Sequence, residues 1–195
     1  GEPAVCAGQA IAFEPAAISL DAALFPTAVM AGEMRPTSVM LAVFIAEPGA
    51  RTLRVWRSGE VAGEVELVHE AQVEPGVDGF LKVVVDGLCP GTWYSYGLFV
   101  GAPDGFTARS LIGGVRTAIA DDVVEPLTLA LGSCNGASLV WPSMTVTADE
   151  YYDMFIHLGD MAYNDGATSL AEFRASWRKY LGADGYTQAL ARAGL

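Results

Sequence analysis

Three side chains able to ligate a cation stand at or just beyond the ends of two short apolar runs. Leu127 to Leu131 leads into Gly132-Ser133-Cys134, and Asp153 to Leu158 leads into Gly159-Asp160, with Tyr163 three residues further on. In open α/β sheets ligands sit beyond the carboxyl ends of the strands, and a glycine there lets the backbone turn away tightly. Cys134, Asp160 and Tyr163 would then meet at one point. A thiolate, a carboxylate and a phenolate together suit a strongly Lewis-acidic cation such as ferric iron; carboxylates and carbonyls alone suit calcium or magnesium, and zinc fits the ligand types as well. Taken singly, a cysteine after a strand is most often a small core residue and G-D-x-x-Y a turn. The pair, some 25 residues apart, has the spacing of a strand, helix, strand unit, and both runs read as buried parallel strands.

Other elements must position these turns. Residues 1–25 show no sustained period and read as an extended arm able to cover a sheet edge. Residues 26–120 are a succession of β-rich runs, at 38–46, 52–58, 63–69, 79–85, 93–100 and 114–117, separated by breakers such as Pro48-Gly49, Asp86-Gly87 and Pro90-Gly91. That spacing predicts a β-sandwich. Leu88-Cys-Pro-Gly-Thr-Trp-Tyr94 has the pattern of a tyrosine corner, which makes Tyr94 architectural and the sandwich similar to a fibronectin type III domain. Trp56 falls on the inward beat of its strand. After the acidic connection 118–126, residues 121–195 change to α/β character. Thr147 is a candidate N-cap for a helix or turn to Tyr152, and Ser169 with Glu172 forms a capping box for a helix to Leu181 that carries an aromatic stripe read as core. Arg174 and Arg178, four apart, make either a solvated pair or one facing the site. Another helix runs through 186–195.

The composition, 52% hydrophobic over 195 residues, permits a substantial core. A net charge of −12 with 11 Lys plus Arg leaves no cationic cluster, which argues against a nucleic-acid-binding surface. The longest apolar run, Val39 to Ala46, is too short for a membrane span. The chain opens on Gly1 without an initiator Met, as a processed or engineered form would, and a removed export signal is compatible with that start. With Cys134 a ligand, Cys6 and Cys89 are the natural disulfide pair; three free thiols is the other reading.

Taken together, a fibronectin-like domain, then L-G-S-C, then H-L-G-D-x-x-Y-x-D-G, then the E-F-R-x-x-W-R-x-Y helix resembles the PhoD-like alkaline phosphatase and phosphodiesterase family, over residues 28–195. The resemblance implies an N-terminal all-β sandwich (fibronectin type III or Ig-like) followed by the first part of an α/β metallophosphatase (calcineurin-like) domain, incomplete here. It implies a periplasmic or secreted hydrolase of phosphate monoesters or diesters. Cys134 and Tyr163 would bind Fe3+ and Asp160 would bridge it to Ca2+. Asn135 matches no family ligand, Asp165 has no assigned role, and His157, on an apolar strand, reads as a hydrogen-bonded core histidine. The family completes its site with later elements, including a D-D-H-E-type motif, that do not occur in this sequence. The partner implied is therefore the remaining C-terminal part of the same enzyme, and the 195 residues alone are expected to be inactive and to bind metal weakly or not at all. Two other readings compete: a β-sandwich binding module with a non-catalytic metallophosphatase-like appendage, and a redox iron protein built on Cys134 and Tyr163.

Overall fold

The computed structural model describes Cys6, residues 8–136 and residues 138–195; residues 1–5 and 7 of the expected arm lie outside these. Short β-rich runs ended by tight turns form strands β1 (Gln9–Ala12), β2 (Met30–Gly32), β3 (Ser38–Phe44), β4 (Arg51–Ser58), β5 (Glu64–Val73), β6 (Phe80–Asp86), β7 (Trp93–Val100), β8 (Ala108–Arg109) and β9 (Gly113–Arg116). Alternation sets the faces. In β3, Val39, Leu41 and Val43 are buried while Met40, Ala42 and Phe44 are half-buried on the other side.

One antiparallel sheet runs β2-β3-β6, and the other runs β1-β5-β4-β7-β8 with β9 also paired to β7. Between them lies a core containing Leu41, Val43, Val55, Tyr94, Tyr96 and Leu98, so the larger part of the chain is a two-sheet β-sandwich. Three short strands escape the sequence reading. The first, β1, lies antiparallel on the outer edge of β5, and the buried Phe13 just after it packs edge-on against Trp56 and Phe99. Trp56 is 5% exposed, a core residue. The Tyr94 hydroxyl accepts the Cys89 N–H at 2.8 Å, the tyrosine-corner bond. Cys89 is disulfide-bonded to Cys6, 83 residues away, and Cys134 is free.

The remaining elements are β10 (Leu129–Gly132), α1 (Pro142–Thr147), β11 (Met154–His157), α2 (Leu170–Leu181) and α3 (Asp184–Arg192). The two strands pair in parallel with Gly132 opposite His157, but β10 is not buried as expected. Leu129 and Leu131 are 47% and 62% exposed, because among the described residues no layer covers their face. The helix expected at 147–152 lies upstream. Pro142, whose fixed φ suits a first helical position, opens α1, and Thr147 closes it with its hydroxyl donating to the Ser143 carbonyl at 2.7 Å. The capping box of α2 is present, with Ser169 Oγ accepting from Glu172 N–H and the Glu172 carboxylate accepting from Ser169 N–H. Its stripe is core only at the carboxyl end: Tyr180 and Leu181 are buried, while Leu170, Phe173 and Trp177 are exposed. Arg174 approaches Asp78 at 3.6 Å and Arg178 lies over the Phe44 ring, so both turn toward the sandwich.

The sandwich and the α/β segment share a core of Ala28, Trp141, Met144, Tyr152, Phe155, Tyr186 and Leu190, with Met30, Phe80 and Trp93 packed against it. Arg116, the last residue of β9, joins the parts. Its guanidinium donates to Gly91 O at 3.2 Å, to Asp153 Oδ1 at 2.8 Å, and to Glu125. Asp153 accepts the Tyr151 hydroxyl on the same oxygen and the Thr128 N–H on the other, both at 2.8 Å. Burial alone would push the Asp153 carboxyl up; the Thr128 N–H, the Tyr151 hydroxyl and Arg116 outweigh it and hold the carboxyl below its usual value.

Two expected outcomes follow from these ties. Reducing the Cys6–Cys89 bond, which closes a loop of over 80 residues, removes up to about 4.5 kcal/mol of stability on the chain-entropy account, read as a fall in the denaturation midpoint with dithiothreitol. A carboxyl held low stabilises above its unfolded value and loses that contribution as pH falls through the folded one. The melting temperatures of wild type and Asp153→Asn should therefore differ most at neutral pH and converge below about pH 4; a gap that does not change with pH would contradict the assignment.

Candidate metal centre

Parallel pairing brings the two turns to one place. Gly132 and His157 face each other across the β10–β11 ladder, and beyond them the Cys134 N–H donates to the Gly159 carbonyl at 3.2 Å. Cys134 and Asp160 both hold left-handed backbone, at φ 53° and 58°, with Gly159 at φ 128° between strand and ligand. Cysteine adopts this region rarely, so the Cys134 turn carries local strain, whereas aspartate tolerates it as asparagine does.

The Cys134 thiol donates to Asp160 Oδ2 at 3.4 Å, and both residues are exposed. Tyr163 is half-buried, with its phenol near enough to Cys134 and Asp160 to feel both charges. Burial pushes that phenol up, the charges of Asp160 and Cys134 add to the rise, and the Gly136 N–H opposes it. The backbone below is fixed by Ser176 of α2, whose hydroxyl donates to the Tyr163 carbonyl at 3.2 Å. All three residues read from the sequence as ligands are thus brought together. Asp165 is exposed on the turn beyond.

The donor chemistry fits a cation. Two cis ligands bound at about 2.3 Å through sulfur and about 2.1 Å through oxygen stand roughly 3.1 to 3.6 Å apart, a range that contains the 3.4 Å between Cys134 and Asp160. Among the described residues no cationic side chain pairs with Asp160. Among the described residues no three His, Cys, Asp or Glu side chains form a group that could hold a metal ion.

Behind these turns lies a polar network. His157 Nδ1 accepts the Gly159 N–H at 3.3 Å, which leaves the proton on Nε2 to face the Tyr186 hydroxyl at 2.9 Å. That hydroxyl also accepts from Asn135 Nδ2 and donates to the Met161 carbonyl at 3.1 Å. Burial lowers the His157 pKa, with Asp160 opposing, and the ring is a neutral hydrogen-bonded histidine, in keeping with its apolar strand. Tyr186 is fully buried, edge-on against Trp141. Sequence reasoning missed this role: an aromatic residue near the start of a helix reads as packing, and nothing local announces where its hydroxyl points.

No protein-family model matches the sequence, and no curated protein matches it. Among solved structures, one of PhoD superposes with a TM-score of 0.71 at 20% identity, covering 87% of this chain and 37% of that one. The chain therefore spans little more than a third of that structure, and the likeness is one of fold. Two fibronectin type III domains also match over about half of the chain. The FN5 domain of Drosophila Lar (20% identity, 48% of this chain and 95% of that one) and a domain of human collagen XX (23%, 52% and 98%) each have a TM-score of 0.36, too low to carry an argument.

The left-handed backbone is testable at Asp160. Asp160→Asn keeps the backbone preference and an acceptor for Cys134, and should change stability by no more than about 0.5 kcal/mol. Asp160→Val places a β-branched residue at positive φ and should cost about 1 to 2 kcal/mol despite its exposure. Chemical denaturation of the two variants reads the difference.

Proposed function

We propose that this chain carries the amino-terminal part of a metal-dependent phosphoric ester hydrolase site of the PhoD-like type, with Cys134, Asp160 and Tyr163 as ligands to Fe3+ and Asp160 also reaching Ca2+. The observation that carries the reading is the meeting of these three side chains beyond the carboxyl ends of two parallel strands, Cys134 Sγ and Asp160 Oδ2 being 3.4 Å apart. The shared fold with PhoD supports it.

Such a cation pair would supply Lewis acidity toward phosphoryl oxygens and a hydroxide at neutral pH. The chain's own residues do the holding. Cys134 and Tyr163 each give up a proton on loading, so binding is expected to strengthen as pH rises. Asp160, exposed and with two oxygens, is placed to span two ions. A Cβ on Gly159 would meet no atom within 4 Å, so the turn is open there, whereas a Cβ on Gly132 would crowd the Phe155 ring at 3.0 Å. Three donors on one side do not enclose a cation, so further ligands come from polypeptide outside the described residues, and the 195 residues alone should turn over neither ester class. A disulfide between Cys6 and Cys89 supports an exported protein, since such bonds persist in oxidising compartments.

The test is metal analysis and visible spectroscopy on the longest natural form of the protein, with an aryl phosphate and a bis-aryl phosphate as substrates, beside Cys134→Ser and Asp160→Asn. Bound iron with calcium, a tyrosinate-to-iron absorption band, and turnover lost on chelation and in both variants are expected. Metal content and turnover unchanged in both variants would sink the reading and turn attention to the sandwich as a binding module.

A further inference from the structure

We infer that Tyr186 is a positioning residue for the candidate metal centre, its single hydroxyl fixing the cysteine turn against the aspartate turn; this rests on the metal-site reading above. Asn135, which donates to that hydroxyl, is the residue after Cys134, and Met161, whose carbonyl accepts from it, is the residue after Asp160. His157, the third partner at 2.9 Å, ends the strand that delivers Asp160 and accepts the Gly159 N–H on its other nitrogen. One oxygen thus holds both ligand turns from behind.

A phenol donates one hydrogen bond and accepts through its oxygen, so two donors and one carbonyl saturate it. That saturation is what allows a fully buried hydroxyl here. The ring is locked as well, by Trp141 at 4.9 Å and by burial of Ala189 and Leu190 on the same helix. A rigid helix therefore sets the distance between two exposed turns, the support that ligands need if two of them are to reach one cation.

The variant is Tyr186→Phe, which keeps the ring and removes only the hydroxyl. Tyr152→Phe is the matched control, since it deletes another buried phenol bond in the same core, Tyr152 OH to Ala189 O at 2.9 Å, that touches neither turn. Two readouts are taken after circular dichroism confirms folding, the first on the 195 residues and the second on the longest natural form of the protein. The first is the alkylation rate of Cys134 by iodoacetamide without metal, which is specific because the other two cysteines are bonded to each other. The second is Co2+ affinity from the thiolate-to-cobalt absorption.

Tyr186→Phe should raise the alkylation rate roughly threefold or more, as the thiol is released from Asp160, and should weaken Co2+ binding roughly ten- to hundredfold. Tyr152→Phe should move neither. Asn135→Ala, which cuts one arm of the network, should act in the same direction and serves if Tyr186→Phe fails to fold. An alkylation rate in Tyr186→Phe equal to wild type, or matched by Tyr152→Phe, overturns the inference. Wild-type protein that binds no Co2+ overturns the metal reading instead, and the alkylation comparison then still decides whether Tyr186 positions the turns.

Discussion

Arg116 reaches from the last strand of the sandwich to Asp153 at the foot of β11, and Asp153 in turn takes the Thr128 N–H at the foot of β10. The side chains of this pair are 13% and 5% exposed, so either charge left alone would be severely penalised. With both present, one guanidinium determines where two parallel strands start relative to each other and to the sandwich. The far ends of those strands carry Cys134 and Asp160. A one-residue slip at the foot would displace either residue by about 3.3 Å, as much as the whole 3.4 Å contact between them.

The connection between the two parts is therefore not a hinge. Residues 118–126 look like a linker by composition, yet Glu125 within them also binds Arg116. Around the joint, Ala28 N–H donates to Leu181 O and Leu195 N–H to Ala31 O, both at 2.8 Å. Phe155 N–H reaches Gly194 O at 2.9 Å, so the chain's last residues lie between β2 and the edge of β11. The sandwich is the platform against which the turns are set.

Much of this was legible because it is local. Strand β7 is found at the residues its alternation predicts, the Ser169 capping box is made as spelled, and the tyrosine corner closes on Cys89. What escaped depends on partners remote in sequence. Strand β1 exists because β5 offers it an edge, and α1 begins where Pro142 fixes the backbone rather than at the cap-like Thr147. Periodicity marked Phe173 and Trp177 as apolar, but only packing decides burial, and both remain exposed. At the candidate site the residues expected to meet, Cys134 and Asp160, and their spacing were readable, while the hydroxyl of Tyr186, 26 residues beyond Asp160, was not.

Strands β10 and β11 meet through a crossover that contains α1, and Asp153 at their foot pairs with Arg116, which β9 presents, so the ladder depends on a strand of the sandwich. The ladder has two strands, and Leu129 and Leu131 on it and Cys134 and Asp160 beyond it are exposed, so its turns are expected to open at a free energy below that of global unfolding. In amide-exchange terms, the turns at Cys134 and Asp160 are expected to exchange faster than the sandwich, so their meeting would be lost under conditions that leave most of the molecule folded.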